Sequence, residues 1–180
     1  LLYYPACGTA NLMRMWILAG RNKLYASQNR IEANDLADEL TTCLSFDKQL
    51  VEEYHTIDNG WFNGFGLSEH IGFTTWNCEN NKYPQRIYVC PVNQPRMIVA
   101  RTEDEKYLTG GFWSEKPQVW KDALRPDVNK IGFEIACGSQ IPVSYEIKTE
   151  CPWLHFSSMK GEVEKTEKLE VYIDKQKLKG

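Results

Sequence analysis

Proline is missing from a long stretch of this chain. None lies between Pro5 and Pro84, while six of the eight prolines follow residue 85. Valine is nearly absent from the same stretch, with Val51 alone before residue 85 and eight after it. Helix interiors exclude proline and strands favour β-branched residues, so the first half reads as helical and the second as mostly strand.

Other absences exclude whole classes. No apolar run is long enough to cross a membrane as a helix. The start, Leu1-Leu2-Tyr3-Tyr4-Pro5, has no initiator Met and no basic segment leading into an apolar one. It is not a secretory signal, and it reads as the beginning of a piece of a longer protein. The charge is nearly balanced, with 21 basic and 24 acidic residues and a net charge of -3. No nucleic-acid partner is expected from that balance. There is no Cys-x-x-Cys pair, which argues against structural zinc, and no metal site is expected. There is no Gly-x-Ser-x-Gly, phosphate-binding loop or dinucleotide fingerprint, so no cofactor is indicated. No Asn-x-Ser/Thr sequon occurs.

What remains is an ordinary globular composition: 180 residues, 42% hydrophobic and 25% charged. The composition shift predicts two domains, residues 1–85 and 86–180. The first 84 residues carry 6 basic and 10 acidic side chains, and the rest carry 15 and 14. Two helices are expected in the first domain. One spans about Asn11 to Gln28, with Leu12, Met15, Trp16, Ala19 and Ala26 near one face and Thr9 or Asn11 as its cap. The other spans about Ala33 to His55, with Leu36, Leu40, Cys43, Leu44, Leu50, Val51 and Tyr54 as its stripe. Asp35, Asp38 and Glu39 suit its first turns, where the dipole favours acids. The short linker Asn29-Arg30-Ile31 implies an antiparallel pair. Two helices cannot bury both stripes alone, so further helices should complete a bundle.

Asp58 to Gly66 is a glycine- and aromatic-rich loop, followed by His70-Ile71-Gly72-Phe73-Thr74-Thr75-Trp76. Strands are expected near 86–90, 97–101, 131–136, 142–147, 153–156 and 168–173. Ile131-x-Phe133-x-Ile135 and Leu169-x-Val171-x-Ile173 alternate as half-buried antiparallel strands do. Residues 102–128 read as a long loop with Trp113 and Trp120 packed into it. The fold class is therefore α+β, a helical bundle followed by an antiparallel, immunoglobulin-like β-sandwich. The last strong strand stops near the end of the chain, which predicts an open sheet edge there.

The six cysteines (7, 43, 78, 90, 137 and 151) lack tight spacing and read mostly as free, buried thiols. His55 reads as a helix-end residue, His155 as a solvent-facing strand residue, and His70 as a hydrogen-bonded loop residue or a functional one. The adjacent acids Asp38-Glu39, Glu52-Glu53 and Glu103-Asp104-Glu105 read as solvated surface charge rather than a glycosidic acid/base pair. Tyr3, Tyr4, Trp61, Phe62, Phe65, Trp76 and Tyr83 can stack on sugar faces or pack in the core.

A series of spaced motifs then runs in order: Tyr4-Pro5-Ala6, Asn11-Leu12-x-Arg14, Gly20-Arg21-Asn22, Tyr25-Ala26-x-Gln28-x-Arg30, Ala33-Asn34-x-x-Ala37-Asp38, Phe46-Asp47, Tyr54-His55, Gly60-Trp61 and His70-Ile71-Gly72-Phe73-Thr74-x-Trp76. Over about residues 3 to 84 this series resembles the C-terminal part of glycoside hydrolase family 115, the xylan α-glucuronidases. The tail from Cys151-Pro152-Trp153-Leu154 through Gly161 to Ile173-Asp174 looks more loosely like the sandwich that follows in that family. The family's loop ahead of the His-Ile-Gly motif carries a Met pair and a Gln, where this chain has Phe65-Gly66 and Ser68.

The resemblance implies a non-catalytic C-terminal piece of a polysaccharide-degrading hydrolase. Its partners would be an upstream catalytic β/α barrel of the same chain, a polysaccharide bearing glucuronic acid, and a second copy in a homodimer. A full-length bacterial protein of this kind would be periplasmic or extracellular. The family's catalytic acids lie in the barrel, so no catalytic residue carries over. Binding sites prefer domain interfaces, and a loop at a bundle's end can reach a barrel's rim. Trp61, Asn63, His70 and Trp76 are therefore the candidates for carbohydrate contact. The competing reading is an autonomous carbohydrate-binding or protein-interaction module.

Overall fold

A computed structural model describes residues 2–65, 70–110, 117–121, 125 and 127–177, with the backbone alone at Cys78. It is of the α+β class, a helical region followed by an antiparallel β-sandwich. The chain divides into two compact units, Leu1–Lys23 with Ala33–Tyr88, and Leu24–Glu32 with Val89–Gly180. The divide at Tyr88 falls close to the composition shift, but the turn between the helices goes with the second unit.

Helix α1 spans Tyr3–Ser27, and α2 spans Glu32–Gly60. α1 starts earlier than the sequence pattern predicts, because Pro5 falls in its first turn, where a missing N–H is harmless. Asn11 is consequently not a cap. It lies inside the helix, buried, and its Nδ2 donates to the Cys43 carbonyl at 2.9 Å. The buried stripe is Asn11, Met15, Leu18, Asn22 and Tyr25, at alternating steps of four and three. Trp16, expected on the stripe, falls off it and is exposed. On α2 the stripe is Ala33, Leu36, Ala37, Leu40, Cys43, Asp47 and Leu50. The partners Asn11–Cys43, Arg14–Glu39 and Asn22–Ala33 converge toward the turn, so the helices are antiparallel. α2 ends in a left-handed turn at Asp58 (φ 51°) and Asn59 (φ 56°), residue types that tolerate that region.

The second unit has seven strands: β1 (Met97–Arg101), β2 (Tyr107–Leu108), β3 (Lys130–Cys137), β4 (Val143–Glu146), β5 (Leu154–Phe156), β6 (Lys160–Val163) and β7 (Thr166–Ile173). One antiparallel sheet has the order β2-β1-β3-β7-β5, and a second pairs β4 with β6. Phe133, Ile135, Cys137, Val143, Tyr145, Val163, Leu169 and Val171 form the core between them. Trp120 packs against this core, its ring 5.8 Å from that of Phe133. Trp113 lies outside the described residues.

The structure revises three strand expectations. Residues 86–90 are not a strand, because the Asn22 side chain occupies both backbone groups of Ile87: Nδ2 donates to its carbonyl at 2.8 Å and Oδ1 accepts its N–H at 2.9 Å. β2 and β6 were not legible, because β2 has only two residues and β6 is mostly polar, and only pairing with β1 and β4 makes them strands. β7 does not leave an open edge, since it pairs with β3 on one side and β5 on the other.

β3 is buried on both faces. Alternation puts Glu134 opposite Phe133 and Ile135 and so predicts exposure, yet Glu134 is only 1% exposed. The inter-helix turn explains this: Arg30, equally buried, donates from Nη1 to Glu134. Ile31 donates its N–H to the Cys137 carbonyl at 3.0 Å, and Arg30 stacks over the Tyr25 ring at 4.5 Å. Cys7, Cys43, Cys90, Cys137 and Cys151 are free thiols.

Candidate functional site

The histidine the sequence singles out sits where α2 meets the loop after it. Asp47 occupies a position of the α2 apolar stripe, one turn after Cys43 and one before Leu50. A carboxylate buried there needs a partner. His70 supplies it: Nε2 donates to the Asp47 carboxylate and stands 2.9 Å from both oxygens. The Asp47 side chain is buried and that of His70 is 45% exposed. Two turns after Asp47, His55 donates from Nε2 to the Phe65 carbonyl at 3.0 Å.

These two histidines, with Tyr4, Asp47, Tyr54 and Phe65, surround a cavity of about 150 Å³. That is below the ~300 Å³ at which small-molecule pockets usually begin. A row of rings runs beside it, Tyr3–Tyr4–Tyr54–Phe62–Phe65, with centroids 5.1 to 6.5 Å apart. Among the described residues no hydroxyl or thiol hydrogen-bonds to His70. The Asp47–His70 pair orients the imidazole and ties the start of the 70–88 segment to α2.

The other candidates lie elsewhere. Trp61 is 74% exposed and Trp76 is 89% exposed. Trp76 touches Phe73 edge-on, with centroids 5.4 Å apart, and no ring contact joins it to Trp61. Asn63 is exposed, and its N–H closes a turn on the Gly60 carbonyl at 2.9 Å. None of the three lines the cavity that holds His70. Of the loop positions that depart from the resembled pattern, Phe65 lines the cavity, while Gly66 and Ser68 lie outside the described residues.

The segment carrying Trp76 is closed by a backbone contact that only glycine permits. Gly72 has φ +69°, and a Cβ there would stand 1.9 Å from the Lys82 carbonyl oxygen. Lys82 donates its N–H to the Gly72 carbonyl at 2.9 Å, and Thr74 donates to the Asn80 carbonyl at 2.9 Å.

The adjacent acids are engaged at the surface. Glu39 pairs with Arg14 and Glu52 with Lys48, while Asp38 accepts from Tyr88 and Glu53 from Gln49. Glu103-Asp104-Glu105 form an exposed turn, whose Asp104 carboxylate accepts the Lys106 N–H. Among the described residues no three metal-ligating side chains gather, and no helix is long and apolar enough to cross a membrane.

Asp47 is the partner that sequence reasoning missed. The signal was present, as an acid at an apolar-stripe position of a helix. No protein-family model matches the chain, and no curated protein matches it.

Proposed function

We propose that this chain is a non-catalytic C-terminal region of a polysaccharide-degrading glycoside hydrolase of the α-glucuronidase kind, acting on xylan side chains. It braces a catalytic barrel and shapes the mouth of its pocket or a dimer interface. One observation carries the reading: the helical unit leaves large apolar side chains bare. Met13 and Ile17, one turn apart on α1, are 62% and 60% exposed, and Trp61, Phe65 and Trp76 are bare beyond α2. Apolar surface of this kind marks a place that another surface covers. The ordered motif series from Tyr4-Pro5-Ala6 to Trp76 supports the same reading.

The test is direct. The purified chain, incubated with aldouronic oligosaccharides, is expected to release no glucuronic acid. Turnover that persists through repeated purification overturns the proposal. Sedimentation at several concentrations separates its two arms, since self-association that Ile17→Glu abolishes assigns the bare α1 face to a dimer. A second reading, an autonomous glycan-binding or protein-interaction module, draws on the open rings of Trp61 and Trp76. Calorimetric titration with xylan and arabinogalactan tests it, and absence of heat with both removes its glycan form.

A further inference from the structure

We propose that a groove between α1 and residues 81–87, lined by neither Trp61 nor His70, binds an acidic saccharide. The groove encloses about 780 Å³ and lies wholly within the first unit. Such a volume suits a ligand of a few sugar rings. One wall is α1, from Trp16 through Gly20 to Lys23, and the other is the segment carrying Asn81, Lys82 and Tyr83. Its chemistry comes from three features that converge.

The first is shape. Gly20 is exposed in mid-helix, and a Cβ built on it would meet nothing within 4 Å. The groove is open above it. The second is a pair of rings. Trp16 is 42% exposed and Tyr83 is 52% exposed, so each offers a flat face on which the C–H face of a pyranose can lie.

The third is charge. The first 84 residues hold six cationic side chains in a half of net charge -4 (6 basic less 10 acidic). Arg14, Arg30 and Lys48 are ion-paired, Arg21 has an interaction of its own, and Arg86, a further cation of the first unit, donates from Nη1 to Thr41 Oγ1 at 3.3 Å. Among the described residues Lys23 and Lys82 have no ion pair, and both line this groove. The two uncommitted cations of an acidic half thus meet at one place, as an anionic ligand requires.

The second wall is fixed before any ligand arrives. Lys82 is held by the Gly72 contact, and Ile87 by both ends of the Asn22 amide. A carboxylate fits better than a phosphate. Phosphates favour free N–H groups at a helix N-terminus, and Trp16 to Lys23 come from turns of α1 whose N–H groups are already spent. Two ammonium groups beside two rings match a sugar acid.

The site needs no barrel and no partner copy, so it stands apart from the hydrolase reading. The chain is titrated with trigalacturonate, with neutral maltotriose and with inorganic phosphate, following heat and tryptophan fluorescence. Saturable binding of trigalacturonate alone is expected, weakening as salt rises. Lys23→Gln with Lys82→Gln is expected to weaken it about tenfold, and Trp16→Ala by a similar factor. Met159→Ala, a bare residue of the second unit, leaves it unchanged, which separates the groove from general surface effects. Circular dichroism melts check that each variant folds. Absence of binding, equal binding of maltotriose or phosphate, or insensitivity of a folded groove variant overturns the proposal. Hydrolysis by the chain sinks the hydrolase-scaffold reading and leaves the groove intact, whereas silence in the titration does the reverse.

Discussion

The two units bury charge differently: the buried Asp47 of the helical unit faces a half-exposed His70, whereas the sandwich unit hides both members of an ion pair. In the helical unit the buried amides of Asn11 and Asn22 reach backbone groups, the carbonyls of Cys43 and Ala33 and both groups of Ile87. Each bond is neutral and short-range. The sandwich unit buries a full ion pair, Arg30 with Glu134, under the inter-helix turn. Arg30 Nε and Glu134 Oε1 have no hydrogen bond, and Lys168 approaches Oε1 only to 4.0 Å. Amides that complete backbone bonding can be lost one at a time. A buried charge deprived of its partner has no such tolerance.

This contrast ranks the expected effects. The largest is Glu134→Ala, which strands a buried guanidinium and should destabilise the chain by about 3–5 kcal/mol in denaturant unfolding. Replacing both partners, Arg30→Met with Glu134→Leu, should recover much of that loss. If the double variant is no more stable than Glu134→Ala, burial of an unpaired charge is not the cause.

Next comes Asn22→Ala. Asn22 is fully buried and serves Ala33 and Ile87 together, so its loss should cost about 1–3 kcal/mol. Hydrogen exchange should report faster exchange at the Ile87 amide before any change in the β-strands. A stability unchanged within error would show that the amide is dispensable and would remove the contrast.

Ile17→Ser should change stability by no more than about 0.5 kcal/mol, because Ile17 is bare in the isolated chain. A larger loss would mean that Ile17 is covered in solution, and its dependence on protein concentration would identify a second copy as the cover.

The smallest effect belongs to the sandwich surface. Lys130 Nζ donates to Glu170 Oε1 at 2.7 Å, and the Tyr172 hydroxyl donates to the other carboxylate oxygen. The Lys130 hydrogen bond holds the Glu170 carboxyl below the ordinary carboxylate range. The same bond holds Lys130 above the ordinary lysine value. A lowered acid contributes stability that is present above its ordinary pKa and is lost as pH falls through the folded value. The raised lysine contributes below its ordinary pKa and loses that contribution as pH rises through the folded value. The triad therefore acts between the acid and lysine ranges. The difference in Tm between the chain and its Glu170→Gln variant should be small near neutrality and vanish in acid. Because the groups are exposed, added salt should shrink it as well.

Much of the architecture was legible from residue patterns. The proline-free stretch marked both helices, and the alternation of Ile131, Phe133 and Ile135 marked β3. The misses share one cause. Glu134 looked exposed because alternation counts only two faces and assumes one is wet, whereas the inter-helix turn covers the second. Residues 86–90 looked like a strand because Ile87, Tyr88 and Val89 favour one, but the Asn22 side chain took the bonds a neighbouring strand would use. In the site, His70 was visible as a residue in an aromatic loop. Its partner Asp47 was visible only as an acid in the wrong place on a helix.

The order of residues alone determined the class of the protein, two helices and then antiparallel strands, because backbone preference and apolar period act over a few neighbours. Tertiary structure decided which polar groups met. Arg30 finds Glu134, and His70 finds Asp47. Those meetings bridge residues far apart in sequence, where no local preference operates and only the cost of leaving a charge buried alone selects the partner.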